Sequence, residues 1–414
     1  MLWNKTNRFW KISLIAINAM LLLNVSGCSD APQMKTQIIE NKSEVPISPQ
    51  SNPEEEEKIV KIYRDLYKKF AAEKTWSDLE MIRSIVSRFG EKGYPAVDSR
   101  SQVDMVCTEQ VIRFCEKVDA KKEDKLTIIE VINLDAFVIY DLQTKDGNVD
   151  VVKSYYEYEN EDMQKIFTGT YTADDWNYTE DGYLMFSGVC FSEELYVLTL
   201  SGAEEHTAFR VQPLDEKCRE LNRKYLLPIG YERNNMFLVD WSEEDFGELN
   251  FYDLYDIFYP KINEQPVPYV TDDNLGAGAV YRIPEDEFES VIMAYFNIDS
   301  ETLQSKTTYY SEEAAYEYKQ RGFYEAEYPE YPYSEVVGFT ENSDGTITLM
   351  VHAVFPYAGI SKVYAHQVVV RPLEDGGVQY VSNRIIPSEN NYAETWHTPR
   401  LTKEEWEEVY GGYE

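Results

Sequence analysis

A chain of 414 residues is longer than one hydrophobic core usually organises, and its 43% apolar content is ample for two such cores. Against 39 lysines and arginines stand 74 aspartates and glutamates, a formal net charge of −35. That balance excludes phosphate-driven nucleic-acid binding by the molecule as a whole and favours a basic or metal-bridged partner.

At the N-terminus, Lys5, Arg8 and Lys11 precede an apolar run from about Ile12 to Val25, then Ser26, Gly27 and Cys28. This pattern reads as a secretion signal over residues 1–27, because the run falls short of the about 20 apolar residues that a membrane-spanning helix needs. The ending Val25-Ser26-Gly27-Cys28 resembles a bacterial lipobox. By that resemblance the signal is cut before Cys28, whose thiol carries diacylglycerol, and the mature chain hangs on the extracytoplasmic face of the cell membrane. The alternative is an uncleaved anchor with a chance cysteine. Removing residues 1–27 takes away three basic and no acidic groups, leaving 36 against 74, or −38. Residues 28–53 hold Pro32, Pro46, Pro49 and Pro53 and no sustained apolar period, so they read as a flexible tether. As a coil of about 25 residues it spans roughly 25–30 Å.

Behind Glu54 to Glu57, the residues Ile59, Ile62, Tyr63, Leu66, Tyr67 and Phe70 recur at helical spacing and predict a first helix. A second has Ser77 and Glu80 as a capping box, Met81, Ile82, Ile85, Val86 and Phe89 on one face, and Gly90 as its stop. From about Gly93 to Asp150 follow a third amphipathic helix (Val103, Val106, Cys107, Val111, Phe114, Cys115, Val118) and the strand-like runs LTIIEV, DAFVIYDL and VDVVKSYYEY. A hairpin turn is expected at Asp146-Gly147.

Much of this order recurs. NFYDLYDIF (Asn250 to Phe258) parallels IYRDLYKKF (Ile62 to Phe70), and EDEFESVIMAYF (Glu285 to Phe296) repeats the apolar spacing of DLEMIRSIVSRF (Asp78 to Phe89). YTEDGYLMF at Tyr178 pairs with FTENSDGTITLM at Phe339, each with an Asp-Gly supplying the positive φ of a hairpin. His206 to Pro228 parallels His366 to Pro387. The expectation is an α+β protein of two related domains, each with helices packed on an antiparallel meander. The first covers 54–235, with 93–150 as an insertion, and the second 236–390. A tail, 391–414, ends in a short helix with Thr402 and Glu405 as its capping box.

The segments RVQPLDEKCRELNRKYLLPIGYERNNMF, NFYDLYDIFYP and VVVRPLEDGGVQYVSN resemble a family of uncharacterised lipoproteins of clostridial-type Gram-positive bacteria. The resemblance implies location and architecture, and it supplies no activity, ligand or catalytic residue.

Chemistry-bearing constellations are few. Cys107 and Cys115 lie about 12 Å apart along one helix, too far for a bridge. Cys190 and Cys218 fall in strand-rich segments where a bridge is geometrically open, and no CxxC pair indicates zinc. His352 and His366 are symmetric about Gly359, so a hairpin centred there would face them across two strands, a metal-binding or acid-sensing pair if they are not ordinary strand residues. Neither HExxH nor GxSxG is present, and 74 acids make carboxylate pairs unavoidable and single out none. The acidic stretches DDWNYTEDG and TDDNLGAG could hold calcium, but neither has the spacing of an EF-hand and both read as turns. No other cofactor is expected.

The unusual surplus is aromatic, with 33 tyrosines and 7 tryptophans. Between Tyr309 and Tyr333 the rings of Tyr309, Tyr310, Tyr324, Tyr328 and Tyr331 alternate with carboxylates, a mixture that stacks on sugars or peptides, though tyrosine equally suits half-exposed sheet faces. The expected function is a lipid-anchored, non-enzymatic binding or accessory module at the cell envelope, with a glycan, peptide or protein partner. The competing classes are an envelope hydrolase using carboxylates of the first domain and a structural lipoprotein.

Overall fold

Helix α1, Pro53–Ala72, sets Glu54, Glu55 and Glu56 at the positive end of its dipole and buries Ile59, Val60, Tyr63 and Phe70 on one stripe. It belongs to a computed structural model that describes residues 52–72, 77–159, 162–191, 202–269, 279–321, 330–387 and 396–410. The signal, Cys28 and most of the tether lie outside these residues.

Helix α2, Asp78–Glu91, carries the expected capping box: the Ser77 hydroxyl accepts from the Glu80 N–H while the Glu80 carboxylate accepts from the Ser77 N–H. Replacing Ser77 with Ala should cost about 1 kcal/mol, read as a lower denaturant midpoint at unchanged slope. The expected stop at Gly90 is corrected. Gly90 stays helical, and a Cβ there would lie 2.9 Å from that of Val106, so its role is close packing; the left-handed residue is Gly93, at φ +85°.

Strand β1 (Ala96–Asp98) pairs in parallel with β2 (Asp124–Val131), and β3 (Ala136–Lys145), β4 (Asn148–Glu159) and β5 (Asp162–Thr172) complete an antiparallel meander in the order β1-β2-β3-β4-β5. Asp146 and Gly147, at φ +54° and +90°, make the expected two-residue turn. Side chains alternate across the sheet. Phe137, Ile139 and Ile129 meet α1 and α2, with the Tyr63 ring stacked on Phe137 at 4.3 Å. Tyr140 points the other way, edge-on to Phe186 and Phe209 of a second sheet made of β6 (Asp175–Tyr178), β7 (Tyr183–Cys190) and β8 (Ala203–Arg210). Helix α3, Thr108–Asp119, buries Val111, Phe114, Cys115 and Val118, and Phe114 meets Trp176 of β6. The segment expected as an insertion therefore supplies most of the sheet on which the first two helices pack.

Both expected Asp-Gly hairpins form, with the same bonding. The Thr179 N–H donates to the Tyr183 carbonyl and Gly182 N–H to Thr179, while Asn342 N–H donates to Thr346 and Gly345 N–H to Asn342. Only the glycines, each at φ +83°, take the left-handed conformation.

Further along come α4 (Glu216–Leu221) with one π turn (Asn222–Leu226), β9 (Trp241–Ser242), α5 (Phe251–Asn263), β10 (Val280–Pro284), α6 (Glu285–Met293), α7 (Ser300–Ser305), β11 (Tyr309–Tyr310) and β12 (Ala315–Lys319). They are followed by β13 (Tyr333–Glu341), β14 (Ile347–Phe355), β15 (Ile360–Pro372), β16 (Val378–Ile386) and α8 (Lys403–Tyr410). Two sheets result, β13-β14-β15-β16-β9 and β10-β12-β11, both antiparallel. The expected α8 box is present: Thr402 N–H donates to the Glu405 carboxylate and Glu405 N–H to the Thr402 hydroxyl.

The chain divides into two compact units, Met1–Tyr178 with Phe186–Val211, and Thr179–Met185 with Gln212–Glu414. The division falls at Val211 and not near Asn235, because Cys218, Leu221, Tyr225, Leu226, Ile229 and Tyr231 all enter the second unit's core. Trp396, expected in a tail, is 1% exposed in that same core. The matched stretches after Pro213 and Pro372 fold differently, as α4 and as a turn leading into β16. Lys217-Cys218 sustains a helix where the matching Gly376-Gly377 opposes one. The whole is a mixed α+β structure, and each unit contains a helix pair followed by a four-stranded antiparallel meander.

Candidate functional site

In the second unit, β12 alternates between two roles. Tyr316 and Tyr318 point inward, at 0% and 1% exposure, while Glu317 and Lys319 face the other way. Each inward phenol ends on a carboxylate: Tyr316 donates to Glu289 at 2.6 Å, and Tyr318 to Asp256 at 2.6 Å. Glu289 also accepts from Ser300 at 2.6 Å. The same pairing covers the neighbouring surface. Tyr309 donates to Glu285 and Tyr310 to Glu317. Tyr255 and Tyr269 share Glu287, at 2.8 and 3.2 Å. Arg282 lies 3.8 Å above the Tyr310 ring, and Lys319 pairs with Glu317 at 3.2 Å.

These bonds shift the phenols upward. Burial and then Glu287 push Tyr269 up to about 12, and acceptance by Glu285 and Glu317 raises Tyr309 and Tyr310. Burial would raise Glu317, but Tyr310 and Lys319 hold it below the usual carboxylate range. The array thus sets phenol donors against carboxylate acceptors, a polar and aromatic surface whose phenolic hydrogens are already committed.

Beneath it lies an ion cage that sequence reading missed. Asn250 caps α5 by accepting from the Tyr252 and Asp253 N–H groups, which sets Asp253 in the first turn with its side chain fully buried. Arg321 grips both carboxylate oxygens at 3.1 Å, Arg400 Nε reaches Oδ1 at 2.8 Å and His397 Nε2 reaches Oδ2 at 2.8 Å. Arg321 Nη2 also approaches that imidazole nitrogen at 3.0 Å. One turn on, Asp256 accepts from Arg400 Nη2 at 2.6 Å, and Arg400 Nη1 donates to the Lys319 carbonyl. Burial alone would raise Asp253, but His397, Arg400 and Arg321 overcome it and hold the carboxyl well below its ordinary range. Arg400 is raised in turn, since Asp256 and Asp253 outweigh the burial that opposes its charge. The legible signal was the Asp253/Asp256 spacing on one helix face; the partners are 68 to 147 residues away.

Of the predicted tyrosines, Tyr309 and Tyr310 sit half-buried on β11 opposite Tyr316 and Ala315, and Tyr331 packs half-buried against the second core. Tyr324 and Tyr328 lie outside the described residues. The histidine pair is corrected. Phe355 pairs with Ile360 around the Pro356–Ala358 turn, and a bulge next to Ala353 shifts the register, so His352 falls opposite Ala365 and His366 opposite Val351. A one-residue offset puts the two rings on opposite faces of the sheet. His366 is fully buried, its Nδ1 bonded to the Asn383 oxygen at 2.7 Å and its Nε2 to the Tyr231 hydroxyl at 2.9 Å. Cys190 and Cys218 are buried thiols not joined by a disulfide, and Cys218 is on helix α4, not in a strand. DDWNYTEDG forms β6 and its turn, and TDDNLGAG lies outside the described residues. Among the described residues no three His, Cys, Asp or Glu side chains are grouped to hold a metal ion.

Compared with known proteins, residues 50–400 match the model of a family of unknown function. No curated protein and no solved structure matches the chain.

Proposed function

The chain belongs to that family, DUF6070, and we propose, from the basic and apolar leader that ends at the lipobox-like Val25-Ser26-Gly27-Cys28, that it is a lipid-anchored, extracytoplasmic binding or accessory module of a bacterial cell envelope. The observation that carries the reading is the commitment of the acids in the tyrosine-rich lobe. Glu285, Glu287, Glu289, Glu317 and Asp256 each accept from a phenol, which suits recognition better than proton transfer. A glycan or peptide that stacks on half-exposed rings fits such a surface. The test is a glycan-array and envelope pull-down screen of the mature chain, with and without calcium. Retention of one ligand class, lowered by Tyr310→Ala, is expected; no retention by any envelope component overturns the reading.

The anchor is tested separately. The protein extracted from membranes should begin at Cys28 and carry diacylglycerol, and Cys28→Ala should abolish incorporation of labelled palmitate. An acylated Cys28→Ala chain would refute it. Common ancestry of the two units is part of the same reading, supported by the helix pair and meander in each. An experimental structure with the helix pairs packed on opposite faces of the two meanders would sink it.

A second reading, a hydrolase, draws on the first unit. Burial raises Glu130, against the pull of Lys153 and the Tyr140 hydroxyl at 3.0 Å, while Lys153 pairs with Glu205 at 2.6 Å. It requires that Glu130→Gln abolish bond cleavage in purified envelope material.

A further inference from the structure

Helices α1 and α2 leave between them a groove of about 300 Å³ lined by Lys61, Ile62, Asp65, Leu66, Arg88 and Lys92. Its floor is apolar and its rim cationic: Ile62 and Leu66 are half-buried, whereas Lys61, Arg88 and Lys92 are exposed. Asp65 stands on the same rim, and Glu91 pairs with Arg88 at 2.6 Å. Lys68, two turns from Lys61 on α1, is exposed as well. Such a rim is unusual in this chain. Residues 53–125, which contain both helices, hold 15 Lys and Arg against 16 Asp and Glu, close to neutral, whereas residues 126–414 hold 19 against 55, or −36.

We propose that this α1–α2 face docks on the anionic headgroups of a phospholipid bilayer. Lysine rims attract headgroup phosphates, and half-buried aliphatic side chains seat at the interface. The proposal deepens the envelope reading and rests on it for the nearness of the bilayer. A tether ending at Pro53, where α1 begins, would hold this face within roughly 30 Å of the lipid, so docking becomes an intramolecular event. The acidic remainder does not forbid it, because charges more than a Debye length away, about 8 Å at physiological salt, are largely screened.

The test uses the mature chain, residues 28–414 with Cys28→Ala, and vesicles of phosphatidylcholine with or without about 30% phosphatidylglycerol. The chain should sediment with the anionic vesicles only, and about 1 M salt should release it. Lys61→Ala with Lys92→Ala should lower partitioning about thirtyfold. The equal charge change Lys122→Ala with Lys125→Ala, also exposed and in the same unit, should alter it less than twofold. The proposal is overturned by no binding to anionic vesicles, by equal binding to neutral ones, or by equal losses in the two double variants. Because this chain carries no acyl group, failure here leaves the palmitate experiment on the wild type to decide the anchor independently.

Discussion

Replacing Asp253 with Ala should destabilise the second unit by about 3–5 kcal/mol. The carboxylate is fully buried and compensates Arg321, Arg400 and His397 at once, so its removal takes from Arg321 the carboxylate it grips and leaves Arg400 with Asp256 alone, both guanidinium groups being about nine-tenths buried. Asp253→Asn should recover only the packing share of the loss. Its folded pKa is depressed, so the stabilisation is present above the unfolded value of about 3.9 and fades only as pH falls through the lower folded value. At pH 7 the full effect should appear in chemical denaturation. A second readout is local: with its pin removed, the segment from Trp396 to Leu401 should become open to trypsin at Arg400. A variant that melts with the wild type and resists cleavage would show that the cage holds nothing in place.

The second large effect is a dependence on acid. Burial pulls His366 down to about 4 from 6.5, with the Asn383 oxygen opposing the shift and His352 adding slightly to it. Asn383 spends its own N–H on the Val239 carbonyl at 2.7 Å, so its oxygen must accept from His366 Nδ1–H, and Nε2 accepts from Tyr231. The core therefore holds one neutral tautomer. Above pH 6.5 both folded and unfolded states leave this ring neutral and it adds no pH dependence. Between 6.5 and 4 the unfolded chain takes up a proton that the folded chain refuses, and stability should drop by about 3 kcal/mol. Other acids titrate nearby, so the measurement is a difference: His366→Gln should be less stable at pH 7 yet lose less on acidification. Parallel stability curves for the two proteins would contradict a buried neutral imidazole.

These expectations rest on contacts of very different legibility. The capping boxes at Ser77 and Thr402, the glycine turns at Gly182 and Gly345 and the acidic start of α1 are all local. Each is decided within a few residues by hydrogen bonds or φ angles that the side chains themselves dictate. Local reasoning also had limits, since Gly90 carries the residue type of a stop but is needed small against Val106. Periodicity located the helix pairs and the meander strands. It misjudged the span from Gly93 to Asp150, because a strand's place in a sheet depends on its partners and not on its own pattern.

The sequence by itself determined the acidic character, the α+β class, the helices with their caps, the tight turns and the tyrosine surplus. Tertiary structure alone decided that Asp253 is caged by residues from two distant segments. It also decided that the tyrosines face their own acids and that the two histidines lie on opposite faces. The physical reason is range. Caps and turns answer to neighbours three or four residues away, whereas a buried charge must find its counter-ions wherever the packed core brings them. A single bulge beside Ala353 is enough to exchange the inside of a strand for its outside.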